Sequence, residues 1–158
     1  MGKHLHRYTL QLSWKGNNGS GTSAYDEYSR SHVIHSEGKP LIAGSSDPNF
    51  RGDTNRWNPE ELLLAALSAC HQLWYLSLCA EAGVTVIAYE DFPDGEMVEH
   101  EDGAGEFRSV ILRPRVTLAA DADIEKAEAL HHTAHEKCFI ARSVNFPVTC
   151  EPSTSRQD

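Results

Sequence analysis

The stretch Asn58 to Gly83, NPEELLLAALSACHQLWYLSLCAEAG, decides how this chain is read. Asn58 suits a helix N-cap, Pro59 the first helical position, and Glu60 and Glu61 the positive end of the helix dipole. Gly83 suits the left-handed residue that ends a helix. Between these signals Leu62, Leu63, Leu64, Leu67, Leu73, Trp74, Leu76 and Leu78 point in almost every direction around the axis. A helix apolar all round is expected to be buried on all sides. A transmembrane span has a similar composition, but His71 and Gln72 at its centre argue against one. A chain of 158 residues has little material to surround such a helix, whereas two copies packing their helices together would do so.

On the N-terminal side the pattern is β. Leu5, Tyr8, Leu10, Leu12 and Trp14 partly alternate, and the turn residues Lys15 to Gly21 follow. A second strand is expected within Ala24 to His35, and a short third at Leu41-Ile42 after the turn at residues 37–40. Residues 44–58, GSSDPNFRGDTNRWN, fit no strand or helix period, and a loop this long is more often functional than decorative. On the C-terminal side Val84 to Tyr89 predicts a strand. Met97 to Glu101 and Glu106 to Leu118 predict a hairpin, with Pro114 at an edge or bulge. Ala122 to Cys138 predicts an amphipathic helix capped by Asp121 or Asp123, and Val144 to Cys150 a last strand. The expected architecture is α+β, a mixed or antiparallel sheet with a central buried helix and a second amphipathic one. A single domain is expected over residues 1–151, with residues 152–158 a disordered tail.

Composition narrows the function. The net charge of -9 speaks against a sequence-independent grip on nucleic acid or an anionic membrane. Four cysteines, Cys70, Cys79, Cys138 and Cys150, are too few to make a disulfide scaffold of a chain this long. Met1 to Tyr8 shows no basic-then-apolar leader, so a cytoplasmic protein with reduced thiols is expected.

Cys70 lies in the apolar helix, where a free cysteine is ordinarily a small core hydrophobe. It would be reactive only beside a cation, and Arg30, Arg51, Arg56 and Arg142 are the candidates. Cys138 closes the second helix on its apolar stripe, where it either packs or serves as a resolving thiol. Cys79 is about 180° around the helix from Cys70 and reads as core; Cys150 reads as structural. His131, His135 and Cys138 have a spacing that can ligate zinc, with Cys70 or His71 as a fourth ligand. Their alternative is that His131, His132 and His135 lie on the wet face of the helix.

Asn58-Pro59-Glu60-Glu61-Leu62-Leu63, then Ala65-Ala66 and Cys70, resembles the signature of the OsmC/Ohr superfamily. Its members are osmotically inducible and organic hydroperoxide resistance proteins. Cys138-Phe139-Ile140-Ala141-Arg142-Ser143-Val144 fits the second half of that signature, and the order of elements matches from about Tyr8 to Glu151. The resemblance implies an intertwined homodimer that reduces organic hydroperoxides without metal or bound cofactor, recycled by an external dithiol, often of the lipoyl type. It implies Cys70 as the peroxidatic cysteine, Cys138 as the resolving one, and Glu60 as the carboxylate that orients an activating arginine. That arginine usually sits in the turn after the first strand. Residues 15–21 contain none, so Arg30 is the first substitute, with Arg51 and Arg56 behind it. Cys70 is followed by His71 where an aromatic such as Phe is common, and Ala141 stands where many members carry Ser. A zinc protein or hydrolase built on Cys70, Cys138 and His135, and a non-catalytic ligand-binding domain of the same fold, are the competing readings.

Overall fold

The computed structural model describes residues 4–158, so the first three residues of the domain expected over 1–151 lie outside the described residues. Where length points to one domain, the backbone contacts divide the chain into two compact units, Met1–Leu62 and Leu63–Asp158.

The N-terminal unit is an antiparallel meander of β1 (Gln11–Trp14), β2 (His32–His35) and β3 (Ile42–Gly44). Leu12 pairs with Ile34 and Val33 with Ala43. The first strand is expected from Leu5 but begins at Gln11. It ends where the chain passes close to its return segment. Trp14 Nε1 donates to the Ser29 carbonyl at 2.8 Å, and a Cβ on Gly16 would meet that same oxygen at 1.7 Å. Residues 44–58, expected to be irregular, contain a 3₁₀ turn at Pro48–Phe50. Asp47 caps it by accepting from Asn49 N at 2.7 Å. Asn58 and Glu61 then form a reciprocal capping box. Asn58 Oδ1 accepts from Glu61 N at 2.8 Å, and Glu61 Oε2 from Asn58 N at 3.2 Å. Among the described residues, every buried hydrophobic lies beyond this unit, and Leu10, Leu12, Trp14 and Ile42 are exposed.

Helix α1 (Pro59–Glu81) runs into the C-terminal unit and ends as its sequence predicts, with Gly83 at φ 72° and Val84 N donating to the Cys79 carbonyl at 2.8 Å. After it come β4 (Val86–Asp91), β5 (Asp94–Glu99), β6 (Gly105–Leu112), β7 (Pro114–Leu118), α2 (Ile124–Lys137), β8 (Val148–Cys150) and β9 (Ser153–Arg156). They form two mixed sheets, β4-β7-β9 and β5-β6-β8, each with one antiparallel and one parallel pair. The α+β class expected from the sequence is the one observed. The long hairpin arm expected over 106–118 is broken at Arg113, whose backbone N–H donates to the Asp91 carboxylate at 2.7 Å. Asp123, one of the two expected caps, opens α2 by accepting from Lys126 N at 3.1 Å.

Two expectations are corrected. The central helix is not buried on all sides: within α1 only Leu67, His71, Tyr75 and Cys79 are buried, one per turn along a single stripe. Leu67 packs with Val110, Leu112 and Val148, while Tyr75 and Cys79 pack with Val84, Val116, Leu118, Ala127 and Ala134. Those partners line one side of the helix, and Leu73 on another side remains 66% exposed. The tail expected to be disordered is also ordered. Residues 153–156 pair in parallel with Arg115–Leu118 as β9. Gln157 N then donates to the Leu118 carbonyl and Arg156 Nε to that of Ala122, both at 2.8 Å. The exposed edge of β7 accepts this pairing through backbone groups, which a polar sequence supplies as well as an apolar one.

Candidate functional site

Two of the four residues expected at the site meet in the C-terminal unit. Cys70 sits midway along α1, and Cys138 is the residue that ends α2, with φ -64° and ψ 111°. Their side chains are neighbours, and both thiols are free. Cys138 is 1% exposed, and its sulfur also accepts from Ala141 N at 3.4 Å. Burial pushes the Cys138 thiol up to about 11, and Cys70 beside it adds to the rise against the opposing backbone N–H groups. Cys138 therefore keeps its proton near neutral pH.

Cys70 lies at the edge of an open apolar pocket of ≈ 510 Å³, lined by Ala66, Ala69, Leu73, Trp74 and Ser77 of α1 and by Phe139 and Ile140. Trp74 and Phe139 meet edge to face at 5.6 Å, with the Lys137 ammonium 5.4 Å from the Trp74 ring. The pocket has the shape and polarity to receive an apolar group beside a thiol.

The other expected residues belong to the N-terminal unit. Glu60 is in the first turn of α1. Arg30 lies just before β2, where its guanidinium donates to the Tyr28 carbonyl at 2.6 Å and the Tyr25 carbonyl at 2.7 Å. It also lies 4.0 Å and 4.4 Å from the centres of the same two rings. Arg51 closes the 3₁₀ turn in a left-handed conformation (φ 64°), and Arg56 pairs with Asp53 at 3.5 Å. In the C-terminal unit, Arg142 donates to the Glu136 carbonyl at 3.4 Å. Cys79 is packed in the core, in line with its reading from the sequence.

The histidine reading is corrected. His132 is exposed and His135 half-buried, but His131 is only 3% exposed and turns into the core. The potential metal-ligating group that the structure assembles is His71, His131 and Cys150, not Cys70, Cys138 and His135. His71 Nε2 lies 3.0 Å from His131 Nδ1, and Cys150 Sγ lies 3.6 Å and 4.0 Å from those two nitrogens. Tyr75 stacks on His131 at 3.8 Å between ring centres. Burial pulls His71 down to about 4 and His131 to about 3. For His71 the Asp91 carboxylate opposes the shift and His135 reinforces it; for His131 the neighbouring His71 reinforces it. Burial likewise pushes the Cys150 thiol up to about 12. One signal in the sequence pointed to this. Ala127, His131, Ala134 and Cys138 follow one helical stripe, so His131 shares the apolar face of α2. The contribution of Cys150 had no comparable signal, because it comes from a strand far along the chain.

Comparison with known proteins agrees with the order of elements. Residues 52–153 match the family described as OsmC-like protein. An OsmC-like protein of unknown function from Vibrio cholerae has a similar structure. It is 31% identical, with a TM-score of 0.84, over 94% of this chain and 100% of that one. The Bacillus subtilis protein YmaD, itself uncharacterised, is 27% identical over 95% of this chain and 94% of its own length. The organic hydroperoxide resistance protein OhrB of Bacillus subtilis shares the fold at 24% identity and a TM-score of 0.63, over 92% of this chain and 98% of its own.

Proposed function

Since the chain belongs to the OsmC-like protein family, within the OsmC/Ohr superfamily, we propose that it is a thiol-dependent peroxidase acting on organic hydroperoxides. The observation that carries this reading is the neighbouring pair of free thiols, Cys70 and Cys138, with Cys70 lining an apolar pocket. The Cys70 thiolate attacks the distal oxygen of the hydroperoxide, the O–O bond breaks, and the alkoxide takes a proton and leaves as the alcohol. Cys70 is then a sulfenic acid. Cys138, protonated and shielded, is unsuited to the first attack but lies within reach of the second. Its sulfur displaces hydroxide from the sulfenic acid, water leaves, and a Cys70–Cys138 disulfide forms. An external dithiol, of the lipoyl type, reduces that bond by two exchange steps. The organic part of the substrate rests against Leu73, Trp74, Phe139 and Ile140.

Activation of Cys70 is assigned to an arginine, Arg30 first, oriented by Glu60, on the strength of the family resemblance. The working unit is a cytoplasmic homodimer. Its support is the exposed apolar surface: Leu73 on α1, Leu10 just before β1, and Leu12 and Trp14 on β1. A second copy covers such surface without requiring a lipid. In the test, the reduced protein is mixed with an organic hydroperoxide and dihydrolipoamide. Turnover is expected from the native chain and none from Cys70→Ser. A native chain inactive with several hydroperoxides and several dithiols contradicts the proposal.

A further inference from the structure

We propose that His71, His131 and Cys150 form a zinc site, separate from the Cys70–Cys138 pair. The three residues come from α1, α2 and β8, and all belong to the C-terminal unit. Tetrahedral zinc with bonds of about 2.0–2.1 Å to nitrogen and about 2.3 Å to sulfur sets ligand atoms about 3.3 Å (N to N) and about 3.6 Å (N to S) apart. The observed separations are 3.0 Å, 3.6 Å and 4.0 Å. Each matches a tetrahedral edge to within about 0.4 Å. The donors have the spacing of one face of a coordination tetrahedron, but the two rings are coplanar and point at each other with centres 5.3 Å apart, so each must turn by roughly 40° to aim its lone pair at an ion about 2.05 Å away.

The donor types fit a borderline-soft divalent ion. Two imidazole nitrogens and one thiolate suit zinc, and the absence of carboxylate donors disfavours magnesium or calcium. As a purely hydrogen-bonded core the cluster is costly. One bond joins two buried imidazoles, while Cys150 stands 3.6 Å from the nearer nitrogen. A cation replaces that bond and the two longer sulfur contacts with three coordinate bonds, while His71 Nδ1 and His131 Nε2 stay buried without a protein partner. On binding, the Cys150 thiol loses its proton to solvent. The proton shared between the rings moves, so that His71 carries its N–H on Nδ1 and His131 on Nε2, freeing both facing lone pairs. No electron is transferred. The bound ion ties β8 and α2 to the helix that carries Cys70.

The experiment uses the full chain, reduced and stripped of metal, titrated with Zn²⁺ against a chromophoric chelator and separately loaded with Co²⁺. One zinc per chain is expected, together with a thiolate-to-cobalt charge-transfer band. Cys150→Ser should abolish the band, His131→Gln should weaken zinc binding at least tenfold, and the Cys70→Ser/Cys138→Ser double variant should keep both properties. Circular dichroism checks that each variant is folded. Because Cys150→Ser could fail to fold, alkylation of the native chain is measured as well. Zinc should protect Cys150 and leave Cys70 reactive. Absence of stoichiometric binding by the folded native chain overturns the proposal. So does binding that survives in Cys150→Ser and disappears in the double variant, or zinc protection confined to Cys70 and Cys138. None of these outcomes depends on peroxidase activity.

Discussion

Acidification should destabilise the metal-free protein through its buried histidine pair. Fully exposed histidine titrates near 6.5, whereas burial holds His71 at about 4 and His131 at about 3. Between those values and 6.5 the unfolded chain binds protons that the folded chain refuses. Stability is therefore full above pH 6.5 and is lost as pH falls, with the loss levelling off once the folded histidines themselves protonate. Each histidine contributes a slope of about 1.4 kcal/mol per pH unit, so a step from pH 7 to pH 5 removes roughly 2 kcal/mol per histidine and about 4 kcal/mol for the pair. The assay is urea unfolding at pH 7 and pH 5 in the presence of chelator, for the native chain and for His71→Gln/His131→Gln. Carboxylates contribute to both proteins and cancel in the comparison. The native chain should lose about 4 kcal/mol more than the variant. If the two lose the same amount, or if NMR titration of the imidazole protons shows midpoints near 6.5, the histidines are not held neutral by burial and the reasoning fails.

Other predictions follow from the packing and the chemistry. Leu67→Ala, at a fully buried position against Val110 and Leu112, should cost about 2–5 kcal/mol in chemical unfolding. Asn58→Ala removes half of the capping box and should cost about 1 kcal/mol. Deleting residues 153–158 uncovers the edge of β7 and should lower stability by about 2 kcal/mol, seen as a fall in Tm of roughly 4–8 °C; an unchanged Tm would mean that β9 contributes nothing. In the peroxidase assay Arg30→Ala should reduce kcat/KM at least tenfold while Arg51→Ala does not; equal activity of Arg30→Ala and the native chain removes Arg30 from the account.

The elements with strong local signals were legible in the sequence. Asn58, Pro59 and Gly83 bound α1, and Asp123 caps α2, because caps and left-handed ends depend on residues within a turn of one another. The pairing of Cys70 with Cys138 was anticipated only through the family resemblance, since residues far apart in sequence meet by tertiary packing. The same limit hid the His71–His131–Cys150 cluster, whose members come from three elements. β9 has no signal in the sequence because Ser153, Thr154 and Ser155 carry no hydrophobic pattern, and their order comes from backbone pairing with β7. The all-round apolar composition of α1 does not translate into all-round burial within one chain. The C-terminal unit covers one stripe of it, and the remainder is the surface assigned to a second copy.

The central claim is that Cys70 and Cys138 act together on a hydroperoxide. Its most direct test is peptide mapping by mass spectrometry after the reduced protein meets one equivalent of an organic hydroperoxide. The account predicts a Cys70–Cys138 disulfide in the native chain and a Cys70 sulfenic acid, trapped by dimedone, in Cys138→Ser. Unmodified thiols at both positions, or oxidation confined to Cys79 or Cys150, would contradict it.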